Sequence, residues 1–387
     1  MTASLSDRAV IAGIGQTEFS KSSGRSELQL AVEASLAALA DAGLRPADVD
    51  GTVTYTLDST GEIELVRNLG IGELRFYSRA PYGGAATGAV VMQAAAAVAS
   101  GAANVVLIYR AFNERSGRRF GQPMAPGQAS PNGSAWWRWY TPFGLDTPAK
   151  WASLHFQRYM HVYGVTNEDF GRYSVVCRKH AANNPNAYFY QRPITLEDHQ
   201  NSRWIVEPVL RLLDCCQESD GGVAMVVTSR ERARDLRQPP ARITAAAQSI
   251  LFGGDIVSDY YHEDIAGMPE IGAIGRQLWR DSGLGPRDVQ VAMLYDHFSP
   301  IVFMHLEEFG FCGRGEARDF IAAGNIEVGG KLPVNTHGGL LGEAYIHGVN
   351  HINEAVRQLR GTAINQVKDA QHILVSAGMS GLILGKW

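Results

Sequence analysis

The chain has few of the residues that mark metal-binding and disulfide-stabilised proteins. Its 387 residues include four cysteines, at positions 177, 215, 216 and 312, and none of them forms a CxxC pair. Cysteine ligands of zinc usually come in such pairs, so this spacing argues against a zinc site. Adjacent residues such as Cys215 and Cys216 also have poor geometry for a disulfide. We therefore expect four reduced thiols, as in a cytoplasmic protein.

Charge and hydropathy argue against further classes. A net charge of −4 with no block of Lys and Arg gives no reason to expect nucleic-acid binding. No apolar run approaches the ~18 residues that a membrane helix needs, so no membrane span is expected. The first 15 residues lack the regions of a signal peptide. Gly13 and Gly15 lack the third glycine and the acidic partner of a dinucleotide fingerprint, which argues against a nicotinamide cofactor.

An internal repeat predicts two related halves. Residues 41–55 and 281–295 agree at seven of fifteen positions without a gap, and each stretch follows an apolar helical pattern, at about 26–42 and 269–282. In both stretches a glycine and then a proline end the helix, and a strand follows. The length of the chain suits about two or three domains.

The repeat continues with a second helix and strand in each half. A helix at about 85–100 precedes the strand 105–109, and a helix at about 347–360 precedes the strand 373–376. The strands are short and apolar, as in sheets that are buried on both faces. Two such halves predict a layered α/β sandwich with helices packed between sheets.

The segment 112–205 has no counterpart in the repeat. It is rich in Trp, Tyr, Pro and Asn, and its pattern predicts helices at about 146–163 and 167–184. We interpret it as an inserted loop domain that covers one face of the first half. The predicted division is therefore an N-terminal half at 1–111 plus 206–235, the insertion at 112–205, and a C-terminal half at 240–387.

Several motifs resemble those of the thiolase superfamily, in its lipid-transfer or sterol-carrier-type branch. Residues 10–19 resemble the first strand and turn of that branch, and residues 213–222 its Asp-Cys-Cys…Ser-Asp-Gly-Ala element. Residues 295–298, Tyr-Asp-His-Phe, lie where the branch has His-Asp-Cys-Phe. Residues 335–348 resemble its Asn…Gly-Gly…Gly-His-Pro-x-Gly motif, with Tyr345 at the histidine. The resemblance implies a thiolase-like αβαβα sandwich of two duplicated halves with an inserted loop domain.

The reactive cysteines of thiolases have no counterpart here. Ala85 lies at the position of the nucleophile before the central helix, and the run 375–381 replaces the C-terminal Cys-x-Gly-Gly-Gly motif. Covalent catalysis needs a thiolate or another activated nucleophile. Thiolysis and Claisen condensation are therefore not expected, and the two tyrosines point to acid–base chemistry. Gly381, at the end of the replaced motif, is a candidate substrate contact.

This pattern is similar to that of the thiolase-like aldolases of bacterial steroid side-chain degradation. The resemblance implies retro-aldol cleavage of a β-hydroxyacyl-CoA on a sterol ring, giving a ring ketone and a short acyl-CoA such as propionyl-CoA. Coenzyme A is part of the substrate, and neither a separate cofactor nor a metal is required. Two alternatives stay open: a non-catalytic acyl-CoA or sterol carrier, and a thiolase-type acyltransferase subunit.

Tyr295 and Tyr345 are the candidate catalytic residues. A phenol with a pKa near 10 is a proton donor at neutral pH and needs a partner to serve as a base. We assign Tyr345 as the base and Tyr295 as the acid, and the reverse assignment stays open. Nearby side chains are candidates for a partner or an enolate donor, or alternatively for structural roles: His297, His337, His347 and Asp296.

Other candidate contacts lie in the insertion. Arg118 and Arg119, with Arg115, form a basic cluster that would either meet coenzyme A phosphates or lie in a solvated loop. Trp136 and Trp137 would line a sterol pocket, anchor a protein interface or form the core of the insertion. The resemblance also implies a homodimer and association with a DUF35-type partner that has an OB-fold.

Overall fold

The computed structural model describes residues 6–123, 140–251 and 262–387. In these ranges the strands are β1 (Ala9–Gln16), β2 (Gly51–Tyr55), β3 (Phe76–Ala80), β4 (Val105–Asn113), β5 (Trp204–Val206), β6 (Leu210–Arg211), β7 (Asp220–Ser229), β8 (Ala241–Gln248), β9 (Val291–Leu294), β10 (His372–Ser376) and β11 (Ser380–Gly385). The helices are α1 (Glu27–Ala42), α2 (Glu62–Leu69), α3 (Thr87–Ser100), α4 (Pro148–Tyr163), α5 (Asn167–Asn183), α6 (Leu196–Asn201), α7 (Arg230–Ala233), α8 (Pro269–Ser282), α9 (Ser299–Glu308), α10 (Ala317–Ala322), α11 (Gly339–Gly342) and α12 (Val349–Arg360).

The main sheet has two halves that meet at β1 and β8. Its strand order is β3-β2-β4-β7-β1-β8-β11-β10-β9, and β5 and β6 form a separate hairpin. Helices α3 and α12 lie between the two halves and contact strands of both, while α1 covers β1, β4 and β7 and α8 covers β8 and β11 on the outer faces. This arrangement confirms the predicted layered α/β sandwich.

The predicted duplication corresponds to matched elements. In the first half β2 pairs with β4 in parallel, and in the second half β9 pairs with β10 in parallel. Helices α1 and α8 end at Gly43 and Gly283, whose φ angles are +76° and +70°. A residue with a Cβ would be strained in this left-handed conformation, so glycine ends both helices at the same point.

The central helix corrects one sequence expectation. Residues Gly83–Ser100 form a helical stretch that is long and apolar enough to cross a membrane, although no run of that length was expected. The stretch is mostly buried inside the protein. Its small residues allow close packing, since a Cβ at Gly88 would lie 2.8 Å from the Gly381 nitrogen. The apolar composition is therefore that of the core helix of the sandwich.

The described helices of the insertion pack on the second half, whereas the sequence interpretation placed the insertion over one face of the first half. Helices α4 and α5 confirm the two predicted helices, and each begins after a threonine whose side chain accepts a backbone N–H. Helix α5 contacts α9, α10 and α11 of the C-terminal half. Apolar side chains of both helices, such as Phe156 and Phe170, share a core with Phe298 and Phe303.

Two of the predicted domain limits fall within strands. Strand β4 continues to Asn113, beyond the predicted start of the insertion at 112, and β5 spans the predicted join between 205 and 206. The division into three parts otherwise stays a prediction.

Candidate active site

The two tyrosines meet at one point in the fold. Tyr295 directly follows β9, and its backbone N–H donates to the Ser376 carbonyl at the end of β10 (3.1 Å). Tyr345 lies in the loop between α11 and α12. Their hydroxyl oxygens are 3.0 Å apart, so the two phenols share a hydrogen bond. Residues 50 positions apart in sequence thus form one hydrogen-bonded pair.

A cavity of about 210 Å³ opens in front of this pair. Most of its lining is apolar, and its polar groups gather at the tyrosines and at a second region around His155 and His262. The apolar residues of its wall include Leu57, Phe120, Ala152, Phe156, Ile301, Met304 and Met379. An apolar cavity with a few converging polar groups is the usual form of a small-molecule site.

Burial keeps both phenols neutral. Desolvation raises the pKa of Tyr295 and that of Tyr345 well above the ordinary value for tyrosine. The hydrogen bond from Tyr345 lowers the pKa of Tyr295, but it does not offset the effect of burial. At neutral pH both phenols are therefore protonated, and neither is ionised to phenolate.

No activated thiol replaces the missing nucleophile among the described residues. Ala85 is buried, lines the cavity, and accepts hydrogen bonds from the Met379 N–H (3.0 Å) and the Ser380 hydroxyl (2.8 Å). The nearest cysteine in the site is Cys216, which packs with Tyr295 and Tyr345. Burial raises the pKa of the Cys216 thiol well above its ordinary value, so this sulfur is not a thiolate.

Comparison with known proteins identifies the family. The thiolase C-terminal domain-like family matches residues 258–384. A steroid side-chain-cleaving aldolase of Thermomonospora curvata is 63% identical over 382 residues, which are 97% of each chain. The 17-hydroxy-3-oxo-4-pregnene-20-carboxyl-CoA lyase of Mycobacterium tuberculosis is 60% identical, over 98% of this chain and all of that protein. The chain belongs to the thiolase-like steroid side-chain-cleaving aldolases.

A solved structure agrees with this assignment. The Ltp2-ChsH2(DUF35) aldolase matches 99% of each chain at 61% identity, with a TM-score of 0.94. The aldolase described here is accordingly a carbon–carbon lyase with a thiolase-like fold that acts on a CoA substrate. The predicted family, fold class and enzyme class are confirmed.

A glycine makes room for Tyr295 in this aldolase. Gly84 lies in the turn before α3, and a Cβ built there would be 1.8 Å from the Tyr295 hydroxyl oxygen. It would also approach the ring carbon that bears the hydroxyl to 2.5 Å. The tyrosine can occupy its place only because residue 84 has no side chain. No sequence pattern predicted this role for Gly84, although the glycine adjoins the vacant nucleophile position.

Asp296 and His337 do not line the cavity and instead hold the loops that carry the tyrosines. Asp296 is fully buried and accepts hydrogen bonds from the Tyr173 hydroxyl (2.7 Å) and the Leu340 N–H (2.8 Å). His337 is buried against His351, with ring nitrogens 2.9 Å apart. Asp296 thus ties the end of β9 to α5 and α11, which supports both tyrosines from behind.

This support gives a prediction for stability. Asp296→Asn removes a charged acceptor of two buried donors, and we expect about 1–3 kcal/mol less free energy of unfolding. The midpoint of thermal unfolding measured by circular dichroism should fall. The matched control is Asp319→Asn, because the Asp319 side chain is 76% exposed and forms an ion pair with Arg318 at the surface. An unchanged midpoint for the Asp296 variant would show that this carboxylate does not hold the loops.

The other two candidate histidines do line the cavity. His297 packs at a tilt against Tyr295 with ring centroids 4.9 Å apart, and the ring centroid of His347 lies 5.2 Å from that of Tyr345. Burial lowers the pKa of His297 to about 4. Burial and the neighbouring Arg110 lower the pKa of His347 well below its ordinary value. Both rings are therefore neutral at pH 7.

Of the two arginines predicted as substrate contacts in the insertion, Arg119 lines a cavity and Arg118 does not. A second cavity of about 640 Å³ shares Phe120, Pro148, His297 and Tyr345 with the first and is lined by Arg119. The Arg119 side chain is also paired with Glu218 (2.6 Å). Arg118 is exposed and lines neither cavity. Trp136 and Trp137 lie outside the described residues.

Gly381 also lines neither cavity. It lies on β11 against Gly88 of α3, where its own Cβ would be 3.0 Å from Ile274. Gly378 and Met379, three and two residues earlier, line the first cavity instead. Gly378 and Met379 form the bend between β10 and β11, so these two residues, and not Gly381, face the cavity. In the part of the chain that the structure describes, no group of three His, Cys, Asp or Glu side chains is arranged to hold a metal ion.

Proposed function

We propose that this aldolase cleaves a steroid-side-chain β-hydroxyacyl-CoA by a retro-aldol reaction, giving a ring ketone and a short acyl-CoA such as propionyl-CoA. Tyr295 and Tyr345 transfer the protons, and no cysteine takes part. The observation that carries the proposal is the 3.0 Å contact between the two phenol oxygens at the apolar cavity. The substrate for which the Mycobacterium tuberculosis relative is named, a hydroxylated pregnene carboxyl-CoA, fits the same chemistry.

The proton path follows from two neutral phenols in contact. The tertiary hydroxyl of the substrate gives its proton to the Tyr345 oxygen while the Tyr345 proton passes to the Tyr295 oxygen. The carbon–carbon bond breaks, the former hydroxyl carbon becomes the ketone, and the bonding electrons move into the thioester enolate. In the same concerted step Tyr295 gives its own proton to the enolate carbon, so neither oxygen ever holds two protons and each phenol ends neutral. Because burial disfavours phenolate, a relay that leaves no charge on the protein suits this site.

The second cavity is suited to bind the CoA part of the substrate. Tyr345 lines both cavities, so an acyl group at the tyrosines can continue into the second one. Cationic side chains gather in its wall: Lys21, Arg115, Arg119, Lys150, Arg178 and Arg203. Guanidinium and ammonium groups are the usual partners of phosphates, and CoA carries several phosphate groups. We propose that this wall receives the nucleotide end of the acyl-CoA.

We also propose that the chain works with other protein subunits. One similar solved structure is that of an Ltp2-ChsH2(DUF35) aldolase, whose name pairs Ltp2 with a DUF35 protein. We therefore expect a DUF35-type partner with an OB-fold bound to this chain, and the homodimer that the family resemblance implies stays a prediction. The expected cytoplasmic location stays a prediction.

Product analysis tests the function. The purified chain, alone and with a DUF35-type protein, is mixed with a steroid-side-chain β-hydroxyacyl-CoA, and the products are separated by liquid chromatography and mass spectrometry. We expect equal amounts of ring ketone and short acyl-CoA.

The alternatives give different products. A carrier would return the substrate unchanged, and an acyltransferase would carry an acyl group on one of its own side chains. Either result, with the partner present, would contradict the proposed cleavage.

A further inference from the structure

A buried ion pair lies behind the active-site loop, in a place that the proton relay does not use. Arg110 lies in β4, its side chain is 1% exposed, and it forms an ion pair with the fully buried Asp58. Asp58 also accepts hydrogen bonds from the Tyr55 N–H (3.2 Å) and the Thr54 hydroxyl. A buried arginine in an apolar strand needs a reason, because removing both charges from water costs several kcal/mol per ion.

Arg110 determines which ring nitrogen of His347 carries the hydrogen. Its Nε–H donates to Nδ1 of His347 at 3.2 Å. Arginine is always protonated and has no acceptor, so Nδ1 of His347 must carry the lone pair. Burial and the positive charge of Arg110 lower the pKa of His347, and the ring is neutral. A neutral imidazole that accepts at Nδ1 carries its hydrogen at Nε2.

Nδ1 of His347 is turned toward Arg110, which leaves the Nε2 edge of the ring for the cavity of the tyrosines. His347 lines this cavity, and its Nε2 makes no hydrogen bond to any of the described residues. The ring is held by Phe112 and Phe120, whose centroids are 5.2 and 5.5 Å away. The Thr87 hydroxyl donates to the His347 carbonyl and fixes the backbone. The donor is therefore directed and rigid before the substrate arrives.

We infer that His347 is a catalytic hydrogen-bond donor to the thioester oxygen, and that Arg110 and Asp58 are positioning residues that hold His347 in the Nε2–H form. The inference rests on the proposed retro-aldol function. As the carbon–carbon bond breaks, its electrons move into the enolate and negative charge develops on the thioester oxygen. A preorganised donor stabilises that oxygen in the transition state more than in the ground state, and His347 keeps its proton throughout.

Two substitutions at His347 test whether catalysis needs a hydrogen-bond donor at the Nε2 position or the imidazole ring itself. The backbone of His347 has a φ of +51°, a left-handed conformation that asparagine tolerates well. We expect His347→Asn to fold and to lower kcat by about 10²-fold with little change in KM, because its short amide does not reach the position of Nε2. His347→Gln places an amide N–H near that position and should restore at least about 10-fold of the loss.

The hydrogen position itself is measurable without any kinetic assay. The full chain is labelled with ¹⁵N-histidine, and the signals of His347, one of eleven histidines, are assigned from the spectrum of the His347→Asn variant. We expect a protonated Nε2 and an unprotonated Nδ1 that stay unchanged between about pH 6 and 9. An Nδ1–H form, or an imidazolium, would overturn the inference whatever the variants do.

The positioning role of Arg110 is tested by its effect on the protonated nitrogen of His347. The double variant Asp58→Asn/Arg110→Met removes both buried charges, and we expect a mixture of the two ring forms in the ¹⁵N spectrum and about 10-fold lower kcat at similar KM. Arg110→Lys keeps a donor for Nδ1 and a charge for Asp58, so it should keep the Nε2–H form. A double variant with an unchanged ring form would overturn the role of Arg110.

The proposed retro-aldol function and the donor role of His347 can be contradicted separately. If the unmodified protein with its partner releases no ketone, the proposed function fails, while the ¹⁵N result still reports the ring form. If the unmodified protein is active and His347→Asn keeps kcat within about threefold, or His347→Gln is no better than His347→Asn, the donor role fails and the function stands.

Discussion

Tyr345→Phe should lower kcat by about 10³-fold or more, near the upper part of the range for the loss of a general acid–base group. The substitution removes one oxygen and leaves the ring, so the cavity keeps its shape. Without that oxygen the substrate hydroxyl has no acceptor, and the hydrogen bond of 3.0 Å to Tyr295 is lost. The measurement is kcat from the rate of ketone release, with KM determined in the same experiment.

The second tyrosine and a control make this result specific. Tyr295→Phe interrupts the same relay and should have an effect of similar size, and the double variant should be little slower than either single one, because residues of one proton path are not additive. Tyr190→Phe is the control, since Tyr190 is exposed and lines neither cavity. Near-normal turnover by both single variants would remove the tyrosine mechanism.

Gly84→Ala should lower kcat by at least about 10²-fold although it adds only a methyl group. The new Cβ would lie 1.8 Å from the Tyr295 oxygen, and an ordinary contact needs roughly 3.4 Å. The phenol must therefore move by more than 1 Å, and a displacement of about 1 Å at a catalytic group can cost about 10²-fold. The measurement is again kcat, supported by the circular dichroism spectrum as evidence of folding.

Two further proteins show whether Gly84 acts through Tyr295. Gly72→Ala is the matched control, because nothing lies within 4 Å of a Cβ at Gly72 and its backbone is not left-handed. The pair Gly84→Ala and Tyr295→Phe should be non-additive, since the second substitution removes the hydroxyl that the first displaces. Fully additive losses would place the effect of Gly84 elsewhere.

The sequence predicts the fold and the central pair because both depend on local patterns. The repeat of helix, glycine, proline and strand marks equivalent elements in the two halves, and the structure pairs β2 with β4 and β9 with β10 accordingly. Tyr295 and Tyr345 occupy two separate motif positions, and their motifs converge in the fold. Ala85 likewise marks the vacant nucleophile position from its place before the central helix.

The rest of the site depends on contacts between residues far apart in the chain. Arg110 contacts His347 across 237 positions, and no local pattern links them. A charged residue inside the apolar strand β4 was the one available signal. Cys216 lies in a recognised motif, but its packing against both tyrosines is visible only in the fold. For the same reason the sequence could not show that the insertion packs on the second half.

The most direct test of cleavage without a covalent intermediate is a rapid-quench experiment on the protein with its partner. Samples are stopped in acid during the first turnover, and the intact mass of the protein is measured beside the amounts of ketone and short acyl-CoA. Proton transfer by Tyr295 and Tyr345 predicts that the products appear together while the protein mass stays that of the free chain. A transient increase in mass by the size of an acyl group, formed and lost at the rate of turnover, would contradict it.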